Sequence, residues 1–150
     1  MIKRRERKGG TDASLDLDAA TLQGLVDAGV LMAASDGEVN EAEYDAVADV
    51  ISGFLRDRIT PAQIREIVEE SIGMLEEQGY PGRLEALAEN LRSPELREVA
   101  LQVAAAVLVA DGAFDATNER EAFIEIAAAL DIDDERSDEL LQQVFETYNE

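Results

Sequence analysis

The chain has 150 residues, of which 46% are hydrophobic and only 5% aromatic, and this composition favours one domain of packed helices over a β-sheet protein. It contains no cysteine and no histidine, which excludes disulfides, zinc sites of the Cys/His type and catalytic sites that need a thiolate or an imidazole. The net charge is −21, so the protein is expected to repel nucleic acid and to attract cations and basic partners.

Residues 1–16 are predicted to form a flexible basic arm, and residues 17–150 to form the helical domain. The opening segment MIKRRERK holds five basic residues and one acidic residue. We expect this arm to fray or to fold back on the acidic body, and contact with a membrane or a nucleic acid is less favoured. No apolar stretch follows the charges and no apolar run is long enough to span a bilayer, so we expect a cytoplasmic protein without a signal peptide.

Apolar residues at helical spacing predict a compact all-α bundle of about seven helices. The first helix runs from about Asp18 and should stop near Asp36 and Gly37. The second is expected to begin at Asn40, because Asn40 and Glu43 have the spacing of a capping box.

Proline and glycine mark the helices that follow. Thr60 and Pro61 predict the cap and the first turn of a third helix, which the segment GYPG at 79–82 is expected to end. A short fourth helix follows, and Ser93 with Pro94 starts a fifth. The fifth helix is apolar on most sides around VALQVAAAVLVA, which predicts a central position. Two more helices are expected at about 116–130 and about 134–148.

The most informative feature is an internal repeat. Each copy consists of an apolar helix rich in small residues, an Asp-Gly pair, one apolar residue and an acid-rich helix start. The copies are GVLMAASDGEVNEAEYDAVADVI and AVLVADGAFDATNEREAFIEIAA, in which Asp36 aligns with Asp111 and Gly37 with Gly112. A helix pair used twice predicts two halves packed about a pseudo-twofold axis.

Both Asp-Gly turns are similar to the second half of an EF-hand calcium loop. With Asp36 at position 5 of that loop, Gly37 falls at position 6 and Glu43 at position 12, as the loop requires. Positions 1 and 3 are then Met32 and Ala34, which offer no side-chain ligand, and the second copy has valines there. A complete EF-hand is therefore excluded in both copies.

Helix capping explains much of the same pattern without a metal, and taken locally it is the favoured interpretation of each turn. Gly37 and Gly112 suit helix C termini that need a left-handed residue, and Asn40 with Glu43 suits a capping box. Acidic residues in a first turn also suit the helix dipole. Capping does not explain why Asp precedes Gly in both copies, so the metal hypothesis stays open.

At these residues the sequence resembles the TerB-like domains of tellurite-resistance and stress-response systems. The marks are SDGEVNEAE at 35–43 and ADGAFDATNERE at 110–121. The resemblance implies an all-helical, pseudo-symmetric domain without catalytic activity, whose clustered acidic residues bind a divalent metal ion. It also implies protein partners among the membrane-associated and calcium-binding components of such resistance systems.

Carried over to this sequence, the resemblance assigns metal ligands to both acidic turns. They are Asp36, Glu38, Asn40 and Glu43 in the first copy, and Asp111, Asp115 and Glu119 in the second, with Glu121 as a further candidate. The second half-site is expected to be weaker, because Ala113 and Asn118 stand where an acid is usual. Hard oxygen ligands without imidazole or thiolate favour Ca²⁺, Mg²⁺ or Mn²⁺. If the two turns meet near the pseudo-twofold axis, their carboxylates form one site.

The leading hypothesis is therefore a non-enzymatic, metal-responsive domain of a stress-response system. The alternative is an acidic protein-interaction module whose Asp-Gly turns only cap helices. An enzyme is the least favoured class, because paired-carboxylate sites usually lie in clefts lined with aromatic or polar groups, and this chain has four Phe, three Tyr and no Trp. No phosphate-binding or dinucleotide-binding glycine motif occurs, and we expect no organic cofactor and no nucleic-acid partner.

Overall fold

The computed structural model describes residues 19–36, 41–55, 59–110 and 117–148, and these residues form six α-helices and no strand. The helices are α1 (Ala19–Ala33), α2 (Glu41–Leu55), α3 (Pro61–Asn90), α4 (Pro94–Ala110), α5 (Thr117–Ala129) and α6 (Asp134–Tyr148), and a 3₁₀ turn at Ala34–Asp36 extends α1. The predicted all-α fold class is confirmed. The predicted boundary between the basic arm and the domain lies outside the described residues.

The centre of the fold is formed by α1 and α4. α1 contacts α2, α3, α4 and α5, whereas α4 contacts α1, α2, α5 and α6. Eight residues of α4 are buried, as its nearly uniform apolar surface predicts. They are Ala100, Leu101, Val103, Ala104, Ala105, Ala106, Val107 and Leu108.

Two glycines of α1 allow neighbouring segments to approach closely. A Cβ atom at Gly24 would lie 2.7 Å from Cγ of Leu91, and one at Gly29 would lie 3.2 Å from Cγ1 of Val47 and 3.3 Å from Cγ1 of Val103. Gly29 belongs to the C-terminal half of α1 and Val103 to the C-terminal half of α4. These two halves therefore pack directly against each other.

The break predicted at the segment 79–82 is present inside α3. Gly79 leaves helical geometry, with φ 81° and ψ 164°, so one helical segment ends there and a second begins without an intervening loop. Pro81 lies in the first turn of the second segment, where its missing N–H is not needed. The predicted fourth helix is therefore the second part of α3. α3 thus consists of a first arm, residues 61–78, and a second arm, residues 80–90.

The predicted starts of α3 and α4 are confirmed by their caps. Oγ1 of Thr60 accepts a hydrogen bond from the backbone N–H of Gln63 at 3.1 Å, and Oε1 of Gln63 accepts one from the backbone N–H of Thr60 at 3.0 Å. Oγ of Ser93 accepts one from the backbone N–H of Leu96 at 3.1 Å. Each cap satisfies N–H groups that have no partner inside their own helix.

Candidate functional site

The predicted metal ligands lie largely outside the described part of the chain. Glu38, Asn40, Asp111 and Asp115 lie outside the described residues, and of Asp36, Glu43 and Glu119 only the backbone is described. Glu121 is exposed on α5. Among the described side chains, no group of three or more acidic residues could hold a metal ion. The assignment of a metal to these turns therefore stays a prediction.

The described helices next to the two Asp-Gly pairs are in contact with one another. α1 leads into the first pair and packs against α4 and α5, the helices that flank the second pair. The 3₁₀ turn at Ala34–Asp36 also contacts α5. The packing thus brings together the helices that carry the two copies of the repeat.

A buried polar cluster, the Asp27 cluster, lies between α1 and α3. Oδ1 of Asp27 accepts hydrogen bonds from the hydroxyl of Ser71 and from Nε2 of Gln23, the latter at 3.0 Å. Oδ2 of Asp27 accepts one from Nη2 of Arg83, whose Nη1 donates to Oε1 of Gln78 at 3.1 Å. Asp27 is 1% exposed and Arg83 is 6% exposed, so this ion pair is shielded from water.

Burial dominates the electrostatics of the Asp27 cluster. Desolvation raises the pKa of Asp27 above its usual value, although the hydrogen bond from Ser71 and the charge of Arg83 act to lower it. Burial, together with the nearby charge of Glu125, raises the pKa of the Tyr80 phenol to about 12. Both effects have the same cause, since a low-dielectric environment penalises the charged form of each group.

Two buried polar atoms of the second arm have no hydrogen-bond partner among the described residues. They are the phenolic oxygen of Tyr80 and Nε of Arg83. An unpaired buried polar group costs about 1–3 kcal/mol relative to its hydrated state. The polar groups around the break at Gly79 are therefore only partly satisfied.

Sequence reasoning missed the Asp27 cluster. Its signal is a single carboxylate inside the apolar stretch LVDAGVLMAA, on a helix expected to face the core. A buried charge requires a partner, so the position of Asp27 indicates that a basic side chain from elsewhere in the chain contacts it. The partner, Arg83, is 56 positions away, and no local pattern links the two residues.

A second polar region is a pocket of about 290 Å³ between the start of α4 and the connection from α5 to α6. On its wall, Nε and Nη2 of Arg136 donate to the two carboxylate oxygens of Glu98 at 2.9 Å and 2.8 Å. This forked pair lowers the pKa of Glu98. The ion pair between Arg136 and Glu98 therefore links α6 to α4.

Arg97 and Asp131, which also line this pocket, stabilise helix ends. Arg97 donates to the carbonyl oxygen of Leu91 at 2.6 Å, of Ala88 at 3.1 Å and of Leu130 at 3.4 Å, at the C-terminal ends of α3 and α5. A cation there complements the helix dipoles. Asp131 has a positive φ of 63°, and the backbone bonds that follow α5 form a Schellman motif. The polar lining of this pocket thus has a structural role.

Comparison with known proteins adds no relative. No family model, no curated protein and no solved structure matches this chain. The resemblance to TerB-like domains therefore rests on the two Asp-Gly motifs of the sequence. Within the described ranges, no helix combines the length and the apolar character needed to cross a membrane.

Proposed function

We propose that this protein is a non-enzymatic, TerB-like helical domain that binds a divalent metal ion through its two acidic Asp-Gly turns. The observation that carries this proposal is the repeat together with its packing. The same Asp-Gly sequence follows two central helices, and the first of these helices contacts both helices that flank the second copy. In this proposal, ligands from the two turns share one ion.

The proposal includes a pseudo-twofold relation between the pair α1–α2 and the pair α4–α5. The helices of each pair contact each other, and the first helix of each pair is central. The two turns then form half-sites on either side of the axis, and a bound ion links the two halves of the domain. This gives a metal-dependent change in stability, which a stress-response adaptor of the cytoplasm can pass to a protein partner.

The proposed ion is Ca²⁺, Mg²⁺ or Mn²⁺. The chain offers no imidazole and no thiolate, so its ligands are carboxylate, amide and backbone oxygens, which hard cations prefer. The net charge of −21 also raises the local concentration of any cation. A test of the site must therefore separate specific ligation from general attraction.

Calorimetric titration of chelator-treated protein with each of the three cations tests the proposal. We expect saturable binding of about one or two ions, which the double variant Asp36→Asn/Asp111→Asn abolishes. The matched control is Glu69→Gln/Glu70→Gln, which removes the same charge from exposed positions of α3. Equal, weak and salt-sensitive heats from all three proteins would exclude the metal site and leave the turns as helix caps.

A second candidate function, docking of a basic protein, is favoured by the surface of α3. Its first arm exposes a stripe of acidic residues, namely Glu66, Glu69, Glu70, Glu76 and Glu77. A stripe of one sign attracts a partner of the opposite sign. Titration with an oligolysine peptide tests this function: binding should weaken in Glu69→Gln/Glu70→Gln and persist in Asp36→Asn/Asp111→Asn. The opposite pattern would exclude α3 as the docking surface.

A further inference from the structure

The two arms of α3 are joined at Gly79 by a backbone segment that has few helical hydrogen bonds. Gly79 adopts φ 81° and ψ 164°, a combination that is essentially limited to glycine. Pro81 has no N–H and so provides no helical hydrogen bond to the preceding turn. Fewer backbone bonds hold the chain here than in a helix interior, which allows the second arm to move relative to the first.

The second arm is attached differently at its two ends. At its far end, Leu87 is buried, Leu91 packs against Gly24, and Arg97 donates to two of its carbonyl oxygens. At the end next to the break, Arg83 is buried and pairs with Asp27 of α1, while Tyr80 and Leu84 are partly buried against the core. The far end is thus held by fully buried apolar side chains, and the near end by one buried charge pair and by apolar side chains that are only partly buried.

In the closed arrangement, the polar groups of the near end are only partly hydrogen-bonded. The phenolic oxygen of Tyr80 and Nε of Arg83 are buried without partners in the described part of the chain. Water would hydrogen-bond to both atoms if this end moved outward, and it would also hydrate the two charges. The new hydrogen bonds to water therefore offset part of the free energy needed to open the near end. Moving the far end would expose Leu87 and Leu91 without any such compensation.

We propose that residues 80–86 form a flap that opens at Gly79, and that the Arg83–Asp27 pair is the latch that keeps it closed. The open flap exposes the carboxylate of Asp27 on α1 and the hydroxyl of Ser71 on the first arm, while the apolar core beyond Leu87 stays intact. This device is independent of the Asp-Gly turns and of any metal. It controls access of solvent to a polar surface that the closed protein hides.

Backbone hydrogen exchange of the full chain tests the flap. Amides of residues 83–86 should exchange at least tenfold faster than those of residues 101–108 in α4, because they exchange through a local opening instead of global unfolding. Their exchange should also be nearly independent of low denaturant concentrations, since a local opening exposes little surface. Equal rates in both segments, with the same denaturant dependence, would overturn the proposal.

Two variants test the latch. Asp27→Asn keeps an acceptor for Ser71 but removes the charge that holds Arg83, and it should raise the exchange rate of residues 83–86 relative to α4 by a further ten- to hundredfold, roughly. Glu98→Gln, which removes an ion pair elsewhere, should leave this ratio unchanged. If Asp27→Asn does not fold, Arg83→Gln provides the same measurement. A ratio that is the same in the latch variant and the unmodified protein would exclude the latch.

Discussion

The close approach of α1 to Leu91 allows a quantitative prediction for Gly24→Ala. The new Cβ atom would lie 2.7 Å from Cγ and 2.8 Å from Cδ2 of Leu91, whereas carbon atoms in contact prefer about 3.5–4.0 Å. Leu91 is fully buried, so its side chain has no solvent to move into. Overpacking of this kind costs about 1–3 kcal/mol, and the better helix propensity of alanine returns about 1 kcal/mol. The net loss of stability should therefore be between about zero and 2 kcal/mol.

Gly73→Ala is the matched control. Gly73 lies in the exposed surface of α3, and a Cβ atom there would meet nothing within 4 Å. This variant gains the same helix propensity without a clash and should be more stable than the unmodified protein by about 1 kcal/mol. Urea unfolding followed by circular dichroism measures both effects as shifts of the midpoint at constant slope. The free-energy difference between the two variants, about 1–3 kcal/mol, isolates the clash.

A double variant identifies Leu91 as the cause. Leu91→Ala alone should cost about 2–5 kcal/mol, because it leaves a cavity in the core. Adding Gly24→Ala to that variant should cause no further loss, because the new methyl group then fills part of the space. Stabilisation by Gly24→Ala as large as that by Gly73→Ala would show that α1 and Leu91 are not in close contact.

Four further predictions concern the charged residues and a cap. Asp27→Ala should lower the free energy of unfolding by about 3–5 kcal/mol, because it leaves Arg83 buried without a counter-charge, and a loss below about 1 kcal/mol in urea unfolding would contradict a buried pair. The pKa of Glu98 is lowered in the folded protein, so its carboxylate stabilises the fold at pH values above the pKa of the unfolded chain, near 4.5. This stabilisation is lost as the pH falls through the lower pKa of the folded state. Because the pair with Arg136 is partly exposed, Glu98→Gln should cost no more than about 1 kcal/mol near neutral pH and nothing in strong acid, and equal losses at both pH values would argue against the pair. The raised pKa of Asp27 acts with the opposite sign. The contribution of Asp27 to the free energy of unfolding should fall as the pH rises from 3.8 through the higher pKa of the folded state. Urea unfolding of Asp27→Asn and of the unmodified protein across that pH range measures this change. Thr60→Ala removes the capping box of α3 and should cost about 1 kcal/mol, and an unchanged midpoint would show that the cap contributes nothing.

The sequence alone determined the helical class and most helix boundaries, because the interactions that set them are local. Caps at Thr60 and Ser93 act over three residues, and the apolar spacing of a helix repeats every three to four residues. The apolar surface of α4 likewise predicted its central position. The repeated Asp-Gly pairs are also visible in the sequence, and they carry the proposed function.

The tertiary structure decided the features that depend on distant residues. It brought the second arm of α3, which begins directly after the predicted break at Gly79, into contact with α1. It also selected Arg83 as the partner of Asp27, a choice that no local pattern could make across 56 positions. Helix formation follows from short-range hydrogen bonds and spacing, whereas the partner of a buried charge is fixed only when folding brings two helices into contact.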